Sequence, residues 1–402
     1  MSSDPGSPLL AAIQDEIAAT GPIPFARYME LCLYHPEWGY YSRGVGGGGG
    51  RDYVTSSGLH RAYGALMARQ AEEMWRGLGE TGRFSFVEFG PGEGFFAADF
   101  LRAASASPRF AAALEYLLVE TSPALRLRQR QRVAAAVPPG SAPISTSWAD
   151  LPSLIAAPPF EGCLFANEVL DAFPVHRVVG TEQGPREIHV GALDGRLVDL
   201  QAPLSSPDLA AFIVEAGIRL EAGQEVDLCL ESPRFIHQAG RLLRRGYFVI
   251  VDYGYEAIDL YHPMRRRGTL MAYHRHRVSE EFLARPGDQD LTAHVDWTAA
   301  ESAAMAAGLR RVGFTSQARF LLALGAVDFM QGAGIEEREA LKDLMLPQRM
   351  GGLFRVLVLA RGEVPNDLRG LSVPWAERGI PDRDVPNADD PLRTRQTGSA
   401  LA

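Results

Sequence analysis

The stretch FVEFGPGEGFFAADFL, Phe86 to Leu101, decides how this chain reads. An apolar strand runs into a loop bearing Gly90, Gly92 and Gly94, and the loop opens into a helix. Glycines at such a turn let the backbone bend sharply and approach a ligand, while the helix that follows offers N–H groups to a negative group. The spacing discriminates between ligands. A dinucleotide fingerprint needs a further glycine at position 95, and Phe95 stands there instead, crowding a pyrophosphate. The loop suits a carboxylate and a ribose better.

Outward from this loop, short apolar runs alternate with helical segments: FSFVEF from Phe84, YLLVE from Tyr116, GCLFAN from Gly162, YFVIVDY from Tyr247 and FRVLVLA from Phe354. That alternation predicts an α/β fold, a doubly wound and mostly parallel sheet with helices on both faces. Upstream, Leu9, Leu10, Ile13 and Ile17 recur at helical spacing, Phe25 to His35 predicts a second helix, and Leu59 to Met74 a third. No strand is expected before Phe84, and the five glycines Gly46 to Gly50 predict a flexible loop. Residues 1–80 thus read as an N-terminal helical region with a Gly-rich loop. Residues 81–362 read as the core, with inserts at about 180–240 and 255–300, and residues 363–402 as a poorly ordered, Pro-, Asp- and Arg-rich tail.

Composition bounds the function. A hydrophobic fraction of 46% with 22% charged residues is that of an ordinary globular chain, not of a membrane-embedded or disordered one. The net charge of -9 removes any general attraction to phosphate backbones, so nucleic acid is not an expected partner. Cys32, Cys163 and Cys229 are odd in number and far apart, which suits a reducing compartment. No targeting signal or membrane-length apolar run is read, so a cytoplasmic protein without membrane insertion is expected.

Two further motifs carry chemistry. In YLLVETSP, Glu120 and Thr121 end the strand next to the glycine loop, where a carboxylate can accept both hydroxyls of a ribose. Trp148 follows a third strand near Pro143 to Thr146, at the place an adenine would occupy. In FANEVLDAFPVHRV, from Phe165, the polar residues Asn167, Glu168 and Asp171 emerge from a buried strand into the cleft mouth. Two carboxylates beside a carboxamide suit a cationic acceptor, which they could clamp by paired hydrogen bonds.

The chain resembles the MidA-like methyltransferases. FSFVEFGPGEG, YLLVETSP, FANEVLDAFPV, VIVDYG at Val249, GTLMAYHRHRV at Gly268 and DLTAHVDW at Asp290 stand in that family's order, with GPIPFARYMELCLYHPEWGYYS and GRDYVTSS upstream. The similarity runs from Gly21 to about Gly362. It implies a class I methyltransferase fold with an N-terminal helical layer, S-adenosylmethionine as donor, and a protein arginine, by family resemblance on a respiratory-complex subunit, as acceptor. The donor-site candidates are Glu88, Gly90, Pro91, Gly92, Gly94, Glu120, Thr121, Trp148 and Asn167, and the catalytic candidates are Asp171, Glu168 and His294. A homodimer is left open as the oligomeric state. Two positions depart from many relatives, which carry Arg and Thr where this chain has Glu93 and Phe95.

Two rivals use the same fold. One is O- or N-methylation of a small molecule, and the other a non-catalytic assembly factor that has lost donor binding, to which Glu93 and Phe95 would point. His274, His276, His294 and Asp296 have spacings that can place metal ligands on one face of a strand, but no further ligand cluster accompanies them, and no metal is expected.

Overall fold

The computed structural model describes residues 7–43, 56–275, 277–346 and 348–372. The five-glycine run and His276 lie outside these. Seven strands form the main path of the central sheet: β1 (Phe84–Phe89), β2 (Leu114–Val119), β3 (Ser145–Ala149), β4 (Phe160–Asn167), β5 (Leu243–Tyr255), β6 (Arg310–Ser316) and β7 (Phe354–Arg361), and the short strand Val295–Asp296 pairs with the end of β5. Their spatial order is β6-β7-β5-β4-β1-β2-β3. Every pairing among β1 to β5 is parallel, and β7 runs antiparallel between β5 and β6. This is the doubly wound class I methyltransferase fold. The chain leaves β1 towards β2 and β3, then returns on the other side through β4 and β5. A crevice therefore opens beyond the carboxyl ends of β1 and β4, the place where such sheets bind ligands.

The strands are apolar throughout because both faces are covered. Along β5, Tyr247, Val249 and Val251 join the core beneath helices Ala62–Gly77 and Phe95–Ala104, while Phe248 and Ile250 join the one beneath helices Glu231–Gly240 and Trp297–Ala306. The first core is aromatic: Phe86 packs on Phe100 at 4.4 Å between ring centres and Phe96 stacks on Phe165 at 4.5 Å. Gly162 on β4, with φ 154°, lets β1 come close, since a Cβ there would lie 1.9 Å from the Ser85 carbonyl oxygen.

A second, antiparallel sheet contains Ile23–Pro24, Gly184–Leu193, His176–Thr181 and Glu225–Leu228, with Arg196–Ala202 on the long strand. Helices Pro8–Thr20 and Phe25–Tyr34 share a core with it and with a three-stranded sheet formed by Met271–His274, Arg277–Ser279 and Asp290–Thr292.

Four expectations change. Ile23–Pro24 is a strand, too short to read between Pro22 and Pro24, and pairs with Val190 and His189. The first insertion spans His176 to Leu228, because helix Glu231–Gly240 packs Phe235 and Ile236 into the core against Phe89 and Phe248. β3 begins at Ser145, so Trp148 lies within the strand, not after it. Residues 363–372 belong to the folded body: Leu368 is buried, the Pro365 carbonyl accepts from Tyr247 Oη, and Gly370 N donates to Gln70. No helix among the described residues is long and apolar enough to cross a membrane.

Candidate active site

One cavity of about 1170 Å³ lies at the carboxyl ends of β1, β2, β4 and β5. It exceeds the upper end of drug-sized pockets, roughly 1,000 Å³, which leaves space for two reactants. On one side it is lined by Glu88, Gly90, Pro91, Gly92, Glu120 and Thr121. Gly90, Gly92 and Gly94 all have positive φ, at 61°, 52° and 80°. At Gly90 and Gly94 a Cβ would also press on Val169 and Gln129, whereas at Gly92 it would enter open space. Gly94 shapes the loop without lining the cavity.

Glu120 faces the loop. Its two carboxylate oxygens accept from Ser122 N at 2.8 Å and Gln129 Nε2 at 3.1 Å, which leaves lone pairs for further donors. Gln129 is the residue that sequence reasoning missed here. Fully buried, it also donates to the Gly92 carbonyl at 2.6 Å and accepts from Trp148 Nε1 at 2.9 Å, so one amide joins the loop, the acid and the third strand. Nothing in the spacing of the arginine-rich helix Pro123–Ala136 marks it. Trp148 does not line the cavity: its indole is spent on Gln129, and Arg130 covers its ring at 4.2 Å. Leu125 and Leu151 supply the apolar lining nearby. Glu88, buried and accepting from Tyr116 Oη at 2.7 Å, is pushed up to about 8 by burial.

The two departures compensate each other. Glu93 pairs with Arg128 at 3.1 Å and Arg132 at 3.5 Å, and the Arg132 guanidinium lies 3.4 Å from the centre of the Phe95 ring. The loop is fastened to helix Pro123–Ala136 by a charge and an aromatic contact, and the Phe95 ring lies against Arg132.

Asn167, Glu168 and Asp171 line the other side, with Tyr253 and His294. Asn167 accepts from Tyr63 Oη and donates to Glu168 Oε1 at 3.1 Å, and Ser56 N donates to the same oxygen at 3.0 Å. Glu168 has φ 53°, a left-handed conformation costly for a residue with a Cβ and typical of functional sites. Burial and then the nearby Asp171 push its carboxyl up to about 8, and burial pushes Asp171 up to about 6. The second missed residue is Asp252, buried at the end of β5, whose carboxylate gathers three backbone N–H groups of the turn carrying Asp171. Its signal was present in VIVDYG, an apolar strand running into a polar residue, as at Asn167.

Residues 66–315, more than half of the chain, match the family model described as "Putative S-adenosyl-L-methionine-dependent methyltransferase". A superfamily member from Burkholderia thailandensis, crystallised bound to S-adenosyl-homocysteine, superposes with a TM-score of 0.80 at 35% identity over 90% of this chain and 94% of that one. The chain belongs to this family of S-adenosylmethionine-dependent methyltransferases. Curated relatives named protein arginine methyltransferase NDUFAF7, mitochondrial, include the mouse protein, 28% identical over 88% of this chain and 84% of its own length. The human protein is 28% identical over 74% and 69%.

In this methyltransferase the glycine loop and Glu120 have the chemistry the donor needs: a bend a Cβ would obstruct, beside a carboxylate with free lone pairs. The described members of the substrate-side motifs, His274, His294 and Asp296, are not gathered at one point. His274 Nδ1 meets the Asp288 carbonyl at 2.7 Å, Asp296 caps helix Trp297–Ala306, and His294 lines the cavity, its ring between Tyr253 and Tyr255. No group of three or more His, Cys, Asp or Glu that could hold a metal occurs among the described residues.

Proposed function

We propose that this methyltransferase transfers a methyl group from S-adenosylmethionine to a guanidinium nitrogen of a protein arginine. The observation that carries this reading is the pair of carboxylates, half-buried Glu168 and buried Asp171, lining the same cavity as the glycine loop and Glu120. The names of the mouse and human relatives support it. When bound, S-adenosylmethionine supplies an electrophilic methyl group on a sulfonium sulfur.

In this reading Gly90, Pro91 and Gly92 approach the donor closely, Glu120 and Thr121 take the ribose, Glu88 completes that wall, and Asn167 meets the donor from the opposite side. Glu168 and Asp171 clamp the guanidinium by paired hydrogen bonds and aim one nitrogen, a contribution of up to ~7–11 kcal/mol where orientation is ideal. A guanidinium is protonated in water, so the nitrogen must shed a proton as it is alkylated. Asp171, whose carboxyl burial raises above the ordinary carboxylate range and so makes the more basic, receives it at a carboxylate oxygen. His294 stands on the same wall as a positioning group.

Mass spectrometry of proteins from source cells lacking the gene, after incubation with the purified chain and S-adenosylmethionine, tests this. Methylarginine in a restricted set of proteins, respiratory-complex subunits among them, is expected. Label appearing only on small molecules, or on oxygen, overturns the acceptor assignment.

A further inference from the structure

Outside the glycine loop and the acidic turn, the cavity wall holds further titratable side chains, and one of them is backed by a buried carboxylate on the inserted sheet. His176 begins the first strand of the inserted sheet, five residues beyond Asp171, and lines the cavity with Phe173 and Pro174 between them. Its Nδ1 is 2.7 Å from Glu187 Oε1. Glu187 is fully buried, an expensive place for a carboxylate unless donors surround it.

Donors do surround it. Ser205 N donates to Oε2 at 2.5 Å, and His189 Nε2 stands 3.6 Å from the same oxygen. Although burial opposes it, these donors together hold the Glu187 carboxyl well below the usual range. A carboxylate so held only accepts, so the hydrogen of the contact belongs to His176 Nδ1. The neutral imidazole then has its lone pair on Nε2. His189 completes the cluster from behind, its Nδ1 at 3.2 Å from the Pro22 carbonyl.

The cluster is specific to the insertion. His176, Glu187, His189 and Ser205 lie on strands and a turn added to the doubly wound core, and none belongs to the loop or to the strand end carrying Glu120. Two hydrogen bonds to one fully buried carboxylate, with the His189 ring close beside it, hold a histidine whose own side chain is 16% exposed and whose ring lines the cavity.

We propose that His176, oriented by Glu187, is an acceptor-binding residue that accepts a hydrogen bond through Nε2 from an N–H of the acceptor chain. This deepens the reading of the cavity as an arginine-acceptor site and rests on it. The dyad selects an acceptor that presents an N–H beside the reacting guanidinium, which a peptide does and a compact oxygen nucleophile does not.

Two measurements on the full chain test it. In ¹⁵N-histidine NMR above neutral pH, His176 shows the protonated-Nδ1, unprotonated-Nε2 tautomer, and Glu187→Gln loses that preference; a protonated Nε2 in the neutral ring overturns the dyad. In kinetics with a glycine-flanked arginine peptide as probe, His176→Ala raises the peptide KM about tenfold or more, with S-adenosylmethionine affinity within twofold and His176→Asn recovering part of the loss. An unchanged peptide KM, or a loss of donor affinity instead, overturns acceptor binding. If the unaltered protein methylates neither this peptide nor any cellular arginine, the arginine reading falls, while the tautomer result still decides whether Glu187 sets the ring.

Discussion

One carboxylate oxygen of Asp252 accepts the backbone N–H of Leu170 at 2.9 Å, and with it those of Val169 and Asp171 at 3.2 and 3.3 Å. The N–H of Glu168, one residue earlier, donates to the Val251 carbonyl at 2.9 Å. The end of β5 thereby takes up four successive N–H groups of the turn that presents both acceptor-side carboxylates. The left-handed Glu168 is held by these bonds, which suits strain that surrounding structure must over-determine. Asp252→Ala leaves the N–H groups without their acceptor and is expected to lower kcat about 100-fold, the cost of roughly 1 Å of misplacement, with donor affinity little changed. Single-turnover rates beside calorimetric donor binding check this, and a parallel loss of both would show that the turn serves the donor instead.

Asp171 is the proposed proton acceptor, so its replacement separates chemistry from binding. Asp171→Asn keeps the size and loses the base, and the expected fall in kcat is about 100- to 10,000-fold, the usual worth of a general base. Donor affinity stays within about threefold because Glu120 and the loop are untouched. Turnover that survives the change would remove Asp171 from the chemistry.

Glu120 is predicted to act on the opposite term. Glu120→Ala removes a carboxylate that two donors already orient, and with it two charge-assisted bonds of ~1.5–3 kcal/mol each to a ribose. Donor dissociation constants should rise by about 100-fold or more, while the apo protein, whose Glu120 carboxyl is raised by burial, loses little stability. Equal donor affinity in the variant would place the ribose elsewhere.

The contrast between Glu120 and Gln129 shows what could be read from residues in a row. The glycine loop, Glu120, Asn167, Glu168 and Asp171 each sit at the end of an apolar run, and a doubly wound sheet brings all such ends to one edge. Their convergence was legible because it needs only strand direction. Gln129 and the His176–Glu187 pair were not, because their contacts arise from helix rotation and from strand register within the insertion, neither of which leaves a periodic trace. Trp148 failed for a smaller reason: β3 starts two residues later than its apolar residues suggest, which keeps the indole within the strand. The insertion was legible as an insert, though its antiparallel pairing with Ile23–Pro24 was not.

Glu168 gives acceptor binding a pH dependence of known sign. Its carboxyl is raised to about 8 by burial and by Asp171, so near pH 7 it is mostly neutral, and a guanidinium arriving beside it favours the ionised form. Binding should release a proton, and acceptor affinity should improve as pH rises towards 8, by at most about tenfold per pH unit, and then level off. Calorimetry in two buffers of different ionisation enthalpy counts the proton, and Glu168→Gln should flatten the profile. Affinity that falls over this interval would exclude Glu168 from the clamp.

Glu88 carries a stability prediction that needs no acceptor. Burial raises its carboxyl from the unfolded value of 4.5 to about 8, so folding favours the neutral acid. The stability this contributes is complete below the unfolded value and is lost progressively as pH rises through about 8. Glu88→Gln keeps an oxygen for Tyr116 Oη and has no charge to develop. The variant should match the unaltered protein near pH 4 and exceed it near pH 9 by roughly 5 kcal/mol at most, a rise of a few °C in Tm for a chain of this length. Because Glu88 lines the donor side of the cavity, the same substitution should weaken donor binding at both pH values, and that cost explains an acid kept where its ionisation destabilises the fold. Superimposable Tm–pH curves for the two proteins would mean that Glu88 is ionised throughout and hydrated in a way its burial does not suggest.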